Sequence, residues 1–313
     1  PEHIVAEARM LAQRGCREVT LLGQTVNSYI HQEEGRPVPF ARLLERVQAI
    51  EGIDRVRFVT SFPADWDDDI FRVMRDCPKV MPYLHIPAQS GSDRVLRAMK
   101  RGYTVAQYLR LMDEARRWLP QVSLAGDVIV GFCGESDEDF RQTIELVRRV
   151  EYKNLFVFKY SPRPGTKADR ALADDVPDEL KAARNQELLA VQGEIGLRHK
   201  RSLVGRRFEV LVEGYSRVAR RARAALPGSE QERGREVSQD HSRQLVGRTP
   251  EDLIAVFDAG PELIGALVEV SVQQATPHTL ITRLERVVSP PRAAPRRPAA
   301  LPVEPKRVAL PLV

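Results

Sequence analysis

Five short polar segments stand where apolar runs stop, and their residue types suit a ligand held by many neutral contacts: 23–28, 61–63, 87–92, 131–135 and 161–166. Gln24, Ser61, Gln89 and Ser90 supply neutral hydrogen-bond donors and acceptors. Gly23 and Gly131 carry no Cβ, so backbone there can approach a ligand closely. Asp127 sits inside an apolar run, where a carboxylate is costly unless paired or hydrogen-bonded, and this placement favours a functional use. His85 is similarly placed, yet a lone strand histidine is more often a satisfied core residue than a ligand, and no metal role is expected of it. Cys16, Cys77 and Cys133 lie far apart, which gives neither a disulfide framework nor close metal-ligand spacing. No residue is expected to bind a metal, and a reducing compartment is the default.

The elements that must position these segments follow from periodicity. A first helix ends near Gly15, and a strand over 18–22 runs into the loop at Gly23. Leu43, Leu44, Val47 and Ile50 recur at helical spacing over 40–50, before a strand over 56–60. A helix over 68–75 and a strand over 83–86 come next, and Ser92 is placed to cap the helix after it. A helix over 105–118, a strand over 123–130 that reads as buried on both faces, a helix over 137–150 and a strand over 155–159 complete the alternation. Repeating strand-then-loop units predict a parallel sheet with crossover helices, as in a (β/α) barrel. Right-handed crossovers would bring all five loops to one face, at the carboxyl ends of the strands.

A long polar helix over 177–199 reads as a connector. Beyond it the pattern becomes strand-like over 207–213, 253–257, 267–273 and 280–285, which predicts a small all-β barrel. Residues 216–243, rich in Arg, Glu, Ser and Gly, read as a mobile loop, and the Pro-rich residues 289–313 as a disordered tail. The expected division is 1–176, 177–201, 202–288 and 289–313.

With 42% hydrophobic and 29% charged residues the composition is that of an ordinary globular chain. No run approaches the roughly 20 apolar residues that a membrane-spanning helix requires. A net charge of +5 and a pI near 9.2 mildly favour a polyanionic partner. The opening Pro1-Glu2-His3 has neither an initiator Met nor a leader pattern, so the chain is expected to be a fragment.

Gly23-Gln24-Thr25-Val26-Asn27-Ser28-Tyr29, His85-Ile86-Pro87-Ala88-Gln89-Ser90-Gly91-Ser92, Arg101-Gly102-Tyr103-Thr104, Asp127-Val128-Ile129-Val130-Gly131-Phe132 and Tyr160-Ser161-Pro162-Arg163-Pro164-Gly165-Thr166 follow one another in a distinctive order. That ordered set resembles the radical S-adenosylmethionine (SAM) methylthiotransferases, over about residues 1–286. Thr60-Ser61-Phe62-Pro63 is similar to the tRNA-modifying branch. The resemblance implies an α/β fold: a partial TIM-like radical SAM barrel followed by a small, OB-like TRAM barrel that binds RNA.

It further implies that SAM is cleaved reductively to a 5′-deoxyadenosyl radical, and that a methylthio group is added to C2 of an N6-isopentenyl-type adenosine next to the anticodon. Such enzymes use SAM and, at full length, two [4Fe-4S] clusters. One cluster is held by a C-x3-C-x2-C loop after the first barrel strand. No such spacing occurs here, so the first strand, the cluster loop and an N-terminal domain are expected to precede Pro1, and this chain alone is expected to be inactive. Implied partners are tRNA and an electron donor such as flavodoxin or ferredoxin, for a cytoplasmic monomer without membrane contact. The alternatives are the branch acting on a ribosomal-protein aspartate, and a cluster-free RNA-binding protein on the same scaffold.

By that resemblance, SAM would meet Gly23, Gln24, Ser61, Gln89, Ser90, Asp127, Ile129, Val130, Gly131 and Phe132, with Asn27, Tyr160 and Arg163 on the substrate side. Each has a blander reading. Segment 89–92 could be a turn plus a helix cap, the glycine loop at 131 could be structural, and Ile129 and Val130 could be barrel core. Cys133, where the family usually shows Pro, reads as a small half-buried thiol. In the β-module, Lys200, Arg201, Arg206, Arg207 and Arg248 are expected to meet RNA, within a basic run that also holds Arg198, Arg217, Arg220, Arg221 and Arg223.

Overall fold

Strands appear wherever short apolar runs alternate with amphipathic helices in this sequence. A computed structural model of the chain describes residues 1–224 and 243–292. In order come α1 (Glu2–Gln13), β1 (Glu18–Leu21), a hairpin of β2 (Ile30–Glu33) and β3 (Arg36–Pro39), α2 (Phe40–Gln48) and β4 (Arg55–Phe58). Then follow α3 (Asp68–Asp76), β5 (Tyr83–His85), α4 (Asp93–Ala98), α5 (Val105–Trp118), β6 (Ser123–Val130), α6 (Asp137–Val150) and β7 (Asn154–Lys159). The short α7 (Lys167–Ala171) precedes α8 (Asp178–Arg201). The remainder comprises β8 (Arg207–Tyr215), α9 (Arg217–Ala224), β9 (Gln244–Arg248), β10 (Ile254–Asp258), β11 (Leu267–Ala275) and β12 (Leu280–Ser289).

β1 pairs with β4, and β5, β6 and β7 pair in that order, all parallel. Between β4 and the segment leading into β5, Val56 N donates to Lys79 O at 2.7 Å and Met81 N to Val56 O at 2.9 Å, which joins the two sets into one open barrel wall. Val56, Phe58, Leu84, Val128 and Val130 bury one face of this wall against Leu44, Val47, Ile70 and Phe71 of the covering helices. Each such side chain contributes about 1.5–3 kcal/mol by leaving water. Capping boxes at Thr104 and Ser136 fix the starts of α5 and α6. Ser92 caps α4 as expected, its hydroxyl accepting from Val95 N.

The last part closes into a barrel of order β10-β12-β11-β8-β9 around Val210, Val212, Leu245, Phe257, Val268 and Val270. This is the partial α/β barrel plus small β-barrel that the sequence pattern predicts. One element was not foreseen and two expectations need correction. β2 and β3 form a hairpin across Glu34 and Gly35, both at positive φ, in a stretch whose polar residues hide any alternation. The segment expected to be a mobile loop from Ser216 begins instead as helix α9, and its residues 225–242 lie outside the described residues, as do 293–313 of the expected tail. α8 is more than a connector: Lys181, Arg184, Leu188, Gln192 and Ile195 form a buried stripe against β7 and α6. Among the described residues no helix is long and apolar enough to cross a membrane.

Candidate functional site

Just past the ends of β4, β5 and β6 the backbone turns through left-handed geometry, with φ of 67° at Thr60, 67° at Gln89 and 72° at Gly131. Only glycine adopts this freely, and a β-branched residue such as Thr60 does so at a cost, a form of strain that clusters at functional sites. Hydrogen bonds then tie neighbouring strand ends together. Val26 N donates to Thr60 O (3.2 Å), Ser61 N to His85 O (3.1 Å), Gln89 N to Asp127 O (2.8 Å), Ile129 N to Gln89 O (2.9 Å) and Tyr160 N to Val130 O (2.9 Å). The Thr60 hydroxyl donates to Gly23 O. All five polar segments therefore share one rim.

Along part of that rim opens a cleft of about 680 Å³, within the range of about 300–1,000 Å³ usual for small-molecule sites. Gln89, Asp127, Ile129, Phe132, Tyr160 and Arg163 line it, together with Met99, Arg101 and Phe158, which sequence reasoning missed. Asp127 Oδ1 lies 3.0 Å from His85 Nε2, and His85 Nδ1 is buried without a partner. So His85 is not the fully satisfied core residue expected. Phe156 and Phe158 leave their rings half exposed beside it on β7. Large apolar surface next to open polar atoms is what a nucleoside-sized ligand would cover.

The floor of the cleft is held from behind. Phe132 and Tyr160 meet edge to face at 4.9 Å, and Lys181 Nζ stands 5.7 Å from the Tyr160 ring centre. Burial, with the Cys133 thiol beside it, pushes the Tyr160 phenol up to about 12. Gly131 N donates to Glu135 Oε1 (2.9 Å), which also takes a bond from Arg184 Nη1 (2.9 Å). Arg184 reaches Asp137 as well, at 2.7 Å. Burial pushes the Glu135 carboxyl up, against the pull of the Gly131 N–H and Arg184. Lys181 and Arg184 were not foreseen. Their spacing on α8, in line with Leu188 and Ile195, was the available signal, obscured because the buried stripe is itself charged.

Other predicted residues are used differently. The cradle at Gly131 is filled by the Lys181 side chain, with which a Cβ would collide, so no ligand approaches there. At Gly23 a Cβ would meet nothing closer than 3.6 Å, and both Gly23 and Gln24 are exposed on the rim outside the cleft. Val130 is wholly buried core. Asn27 is buried, donating to Phe62 O and Asp65 O and accepting from Phe62 N, so its amide bolts two loops together and has both donors spent within the chain. Ser90 turns inward, accepting from Ser92 N at 3.2 Å, in a loop pressed so close to α6 that Gly91 has no room for a Cβ. Ser61 is 3% exposed, and its hydroxyl is buried without a partner.

Among the RNA candidates, Arg201 and Arg206 are exposed. Arg207 is exposed but lies 3.6 Å from Glu269. Lys200 is buried, with its pKa lowered by burial, and cannot meet a phosphate at the surface. Arg248 is held by Glu213 at 3.1 Å and Asp252 at 2.9 Å, so its charge is already met. Arg217, Arg220, Arg221 and Arg223 line up on α9, with the Arg223 guanidinium 4.3 Å from the Tyr215 ring centre.

The residues fit SAM and a cluster unequally. The cleft joins apolar surface at Ile129, Phe132 and Phe158 to polar groups at Gln89 and Asp127, as a nucleoside with an amino-acid tail requires. Among the described residues no three His, Cys, Asp or Glu side chains group to hold a metal, and the three cysteines are separate and free.

The profile of the Radical SAM superfamily matches residues 1–147. A protein of Rhodopirellula baltica named tRNA-2-methylthio-N(6)-dimethylallyladenosine synthase is 47% identical over 287 residues, covering 92% of this chain and 57% of its own length. One of the same name from Carboxydothermus hydrogenoformans is 41% identical, covering 87% of this chain and 57% of its own length. The chain thus spans a little over half the length of these relatives. Among solved structures, coproporphyrinogen III oxidase (HemN) from Escherichia coli aligns at a TM-score of 0.46 and 16% identity, over 89% of this chain and 64% of its own.

Proposed function

We propose that this chain belongs to the radical SAM methylthiotransferase family and is the part of a tRNA-modifying enzyme in which cofactor and target base are brought together. The reaction is addition of a methylthio group to C2 of an N6-isopentenyl-type adenosine next to the anticodon. The observation that carries this reading is the cleft itself, which gathers Gln89, Asp127, Ile129, Phe132, Tyr160 and Arg163 from three strand ends onto one hydrogen-bonded rim.

SAM, when bound, supplies radical chemistry that no side chain can. The chain's own residues bind and orient. Ile129 and Phe132 pack against the adenine, while Gln89 and the Asp127 carboxylate, steadied by His85, take the polar groups of ribose and methionine. The open hydroxyl of Ser61 and Nδ1 of His85 remain beside this seat as further hydrogen-bonding groups. Arg163, exposed and without an ion pair among the described residues, faces the RNA side with Tyr160.

Residues 1–176 form the barrel part, 177–201 the helix that closes it, and 202–288 the RNA-binding module. Arg201 and the α9 arginines Arg217, Arg220 and Arg221 supply phosphate contacts that position RNA without reading sequence. The whole protein works as a cytoplasmic monomer with two [4Fe-4S] clusters and a flavodoxin- or ferredoxin-type donor. The names of the relatives favour tRNA over a ribosomal-protein aspartate. Mass spectrometry of tRNA from a strain lacking the gene tests the reading: the methylthio mass on the adenosine should disappear, and an unchanged nucleoside would overturn it.

A further inference from the structure

Where β6 and β7 begin, at the end of the sheet opposite the rim, a second cavity of about 400 Å³ lies between the barrel part, the end of α8 and the β-module. It too falls in the range of about 300–1,000 Å³ for small-molecule sites. Its walls carry four cations, Arg116, Lys153, Arg198 and Arg206, against two carboxylates, Glu151 and Glu251. Arg198 is engaged by Glu151 at 2.5 Å. The other three have no carboxylate within ion-pair distance among the described residues. Arg116 donates to the Val150 carbonyl, and Lys153 Nζ reaches only Gln121 O, at 3.4 Å.

Two further lining residues have a buried polar atom with nothing to bond. Glu251 is 8% exposed and has one carboxylate oxygen without a partner, and His199 Nε2 is likewise unpartnered. A buried polar atom left unpaired costs about 1–3 kcal/mol, so a site that keeps two of them is expected to recover that cost from a ligand. Leu124, Ile195, Phe208 and Leu253 give the cavity an apolar side.

We propose that this cavity binds an organic phosphomonoester of the mononucleotide class, its phosphate among Arg116, Lys153 and Arg206, its base against Phe208 and Leu253, and a ribose hydroxyl donating to Glu251. Three unpaired cations suit a dianion better than a single carboxylate. Inorganic phosphate, whose remaining P–OH could donate to Glu251, would leave the apolar side at Phe208 and Leu253 uncovered, and the volume exceeds what that ion would fill. Burial pushes the Lys153 ammonium down to about 8, with Glu251 opposing and Arg116 and Arg206 assisting, so an arriving phosphate recharges it. His199, pushed down to about 4 by burial and by Lys153, Lys200 and Arg206, stays neutral beside it. The nucleotide is either free or the phosphorylated end of an RNA.

Isothermal titration calorimetry of the full chain with AMP, adenosine, inorganic phosphate and a 5′-phosphorylated oligoribonucleotide tests this. AMP should saturate one site, with adenosine and phosphate each at least about tenfold weaker. Lys153→Gln and Arg206→Gln should each weaken AMP about tenfold, whereas Gln89→Ala in the rim cleft should not. At pH 8, buffers of different protonation heat should reveal uptake of about half a proton on binding. The oligonucleotide binding while AMP does not would identify the source as an RNA end. Arg206 is exposed, so its variant reports even if Lys153→Gln misfolds. No saturable binding by either nucleotide, AMP binding untouched by Arg206→Gln, or phosphate binding as tightly as AMP would each overturn the proposal.

Discussion

The two ends of one parallel sheet treat polar side chains in opposite ways. Beneath β1 and β4, Arg17, Arg55 and Arg57 are 5%, 1% and 4% exposed, yet each guanidinium is held by at least two acceptors, with Arg55 Nε and Glu18 Oε2 the buried atoms left unpartnered there. Arg17 bonds Asp54 and the carbonyls of Gly265 and Pro290. Arg55 bonds Glu209 and the Arg248 carbonyl, and Arg57 bonds Glu18 and the carbonyls of Thr249 and Pro250. These three arginines latch the β-module to the barrel part. At the rim the reverse holds, with Ser61 Oγ and His85 Nδ1 buried and unpartnered, Thr60 and Gln89 at strained φ, and two phenylalanines half exposed. Polar groups bonded to the chain fix position, and unpartnered ones beside a cavity mark where a ligand is expected. The second cavity passes the same criterion, which is why it is read as a site rather than as packing.

The largest effect should come from breaking the saturated end. Arg57→Met leaves the part-buried Glu18 carboxylate and two carbonyls without their donor, and losing one partner of a buried pair costs about 3–5 kcal/mol. Ser61→Ala removes a hydroxyl that bonds nothing, so it should cost under about 1 kcal/mol or stabilise. Urea unfolding of both variants measures the contrast. Equal losses would erase the distinction between the two ends.

One group in the rim's support is saturated and gives a pH signature. Burial pushes Asp139 up, but bonds from Arg94, Ser136 and Ser92 outweigh it and hold the carboxyl well below its ordinary 3.8. A folded pKa below the unfolded one contributes stability that is present above about 3.8 and is lost as pH falls below it. Asp139→Asn should therefore flatten the stability–pH curve in the acid range while lowering stability at pH 7. An unchanged acid limb would mean that other carboxylates control it.

Much of this was legible in the sequence, for identifiable reasons. The strand over 123–130 reads as buried on both faces, and the helical stretches over 105–118 and 137–150 coincide with α5 and α6 to the residue, whose starts the capping boxes at Thr104 and Ser136 fix. The shared rim followed from crossover handedness. What residue type alone does not carry is direction. Asn27 and Gln89 are both loop amides, and only the fold makes one a bolt and the other a cleft wall. Lys200 sits in a basic run, and periodicity says nothing of a neighbour that covers it. The role of α8 was hidden because its buried stripe uses Lys, Arg and Gln where an apolar residue would have announced a core face.

A smaller effect, of opposite sign, is expected within the rim. Gln89 holds a left-handed conformation that costs an L-residue about 1–2 kcal/mol and glycine almost nothing. Gln89→Gly should therefore raise the unfolding free energy by up to about 1 kcal/mol once glycine's extra unfolded-state entropy is subtracted, seen as a higher urea midpoint. It should also weaken SAM, measured by titration, because the cleft loses an amide. A variant that gains stability and keeps its affinity would show that strain at this position serves packing rather than the ligand.

The smallest effect separates charge already met from charge still available in the β-module. Arg248 is bracketed by Glu213 and Asp252, whereas Arg221 stands exposed on α9. Each phosphate that an arginine neutralises adds roughly 0.7–0.9 to the slope of log affinity against log salt. For an anticodon stem-loop RNA, Arg221→Gln should lower that slope by about this amount and weaken binding only a few-fold near physiological salt, while Arg248→Gln leaves the slope unaltered. The pair is decisive because both substitutions remove one positive charge from the same module, so any general electrostatic effect cancels. If Arg248→Gln moves the slope instead, ion pairs seen in the unbound chain reopen on binding, and saturation no longer tells structural charge from functional charge.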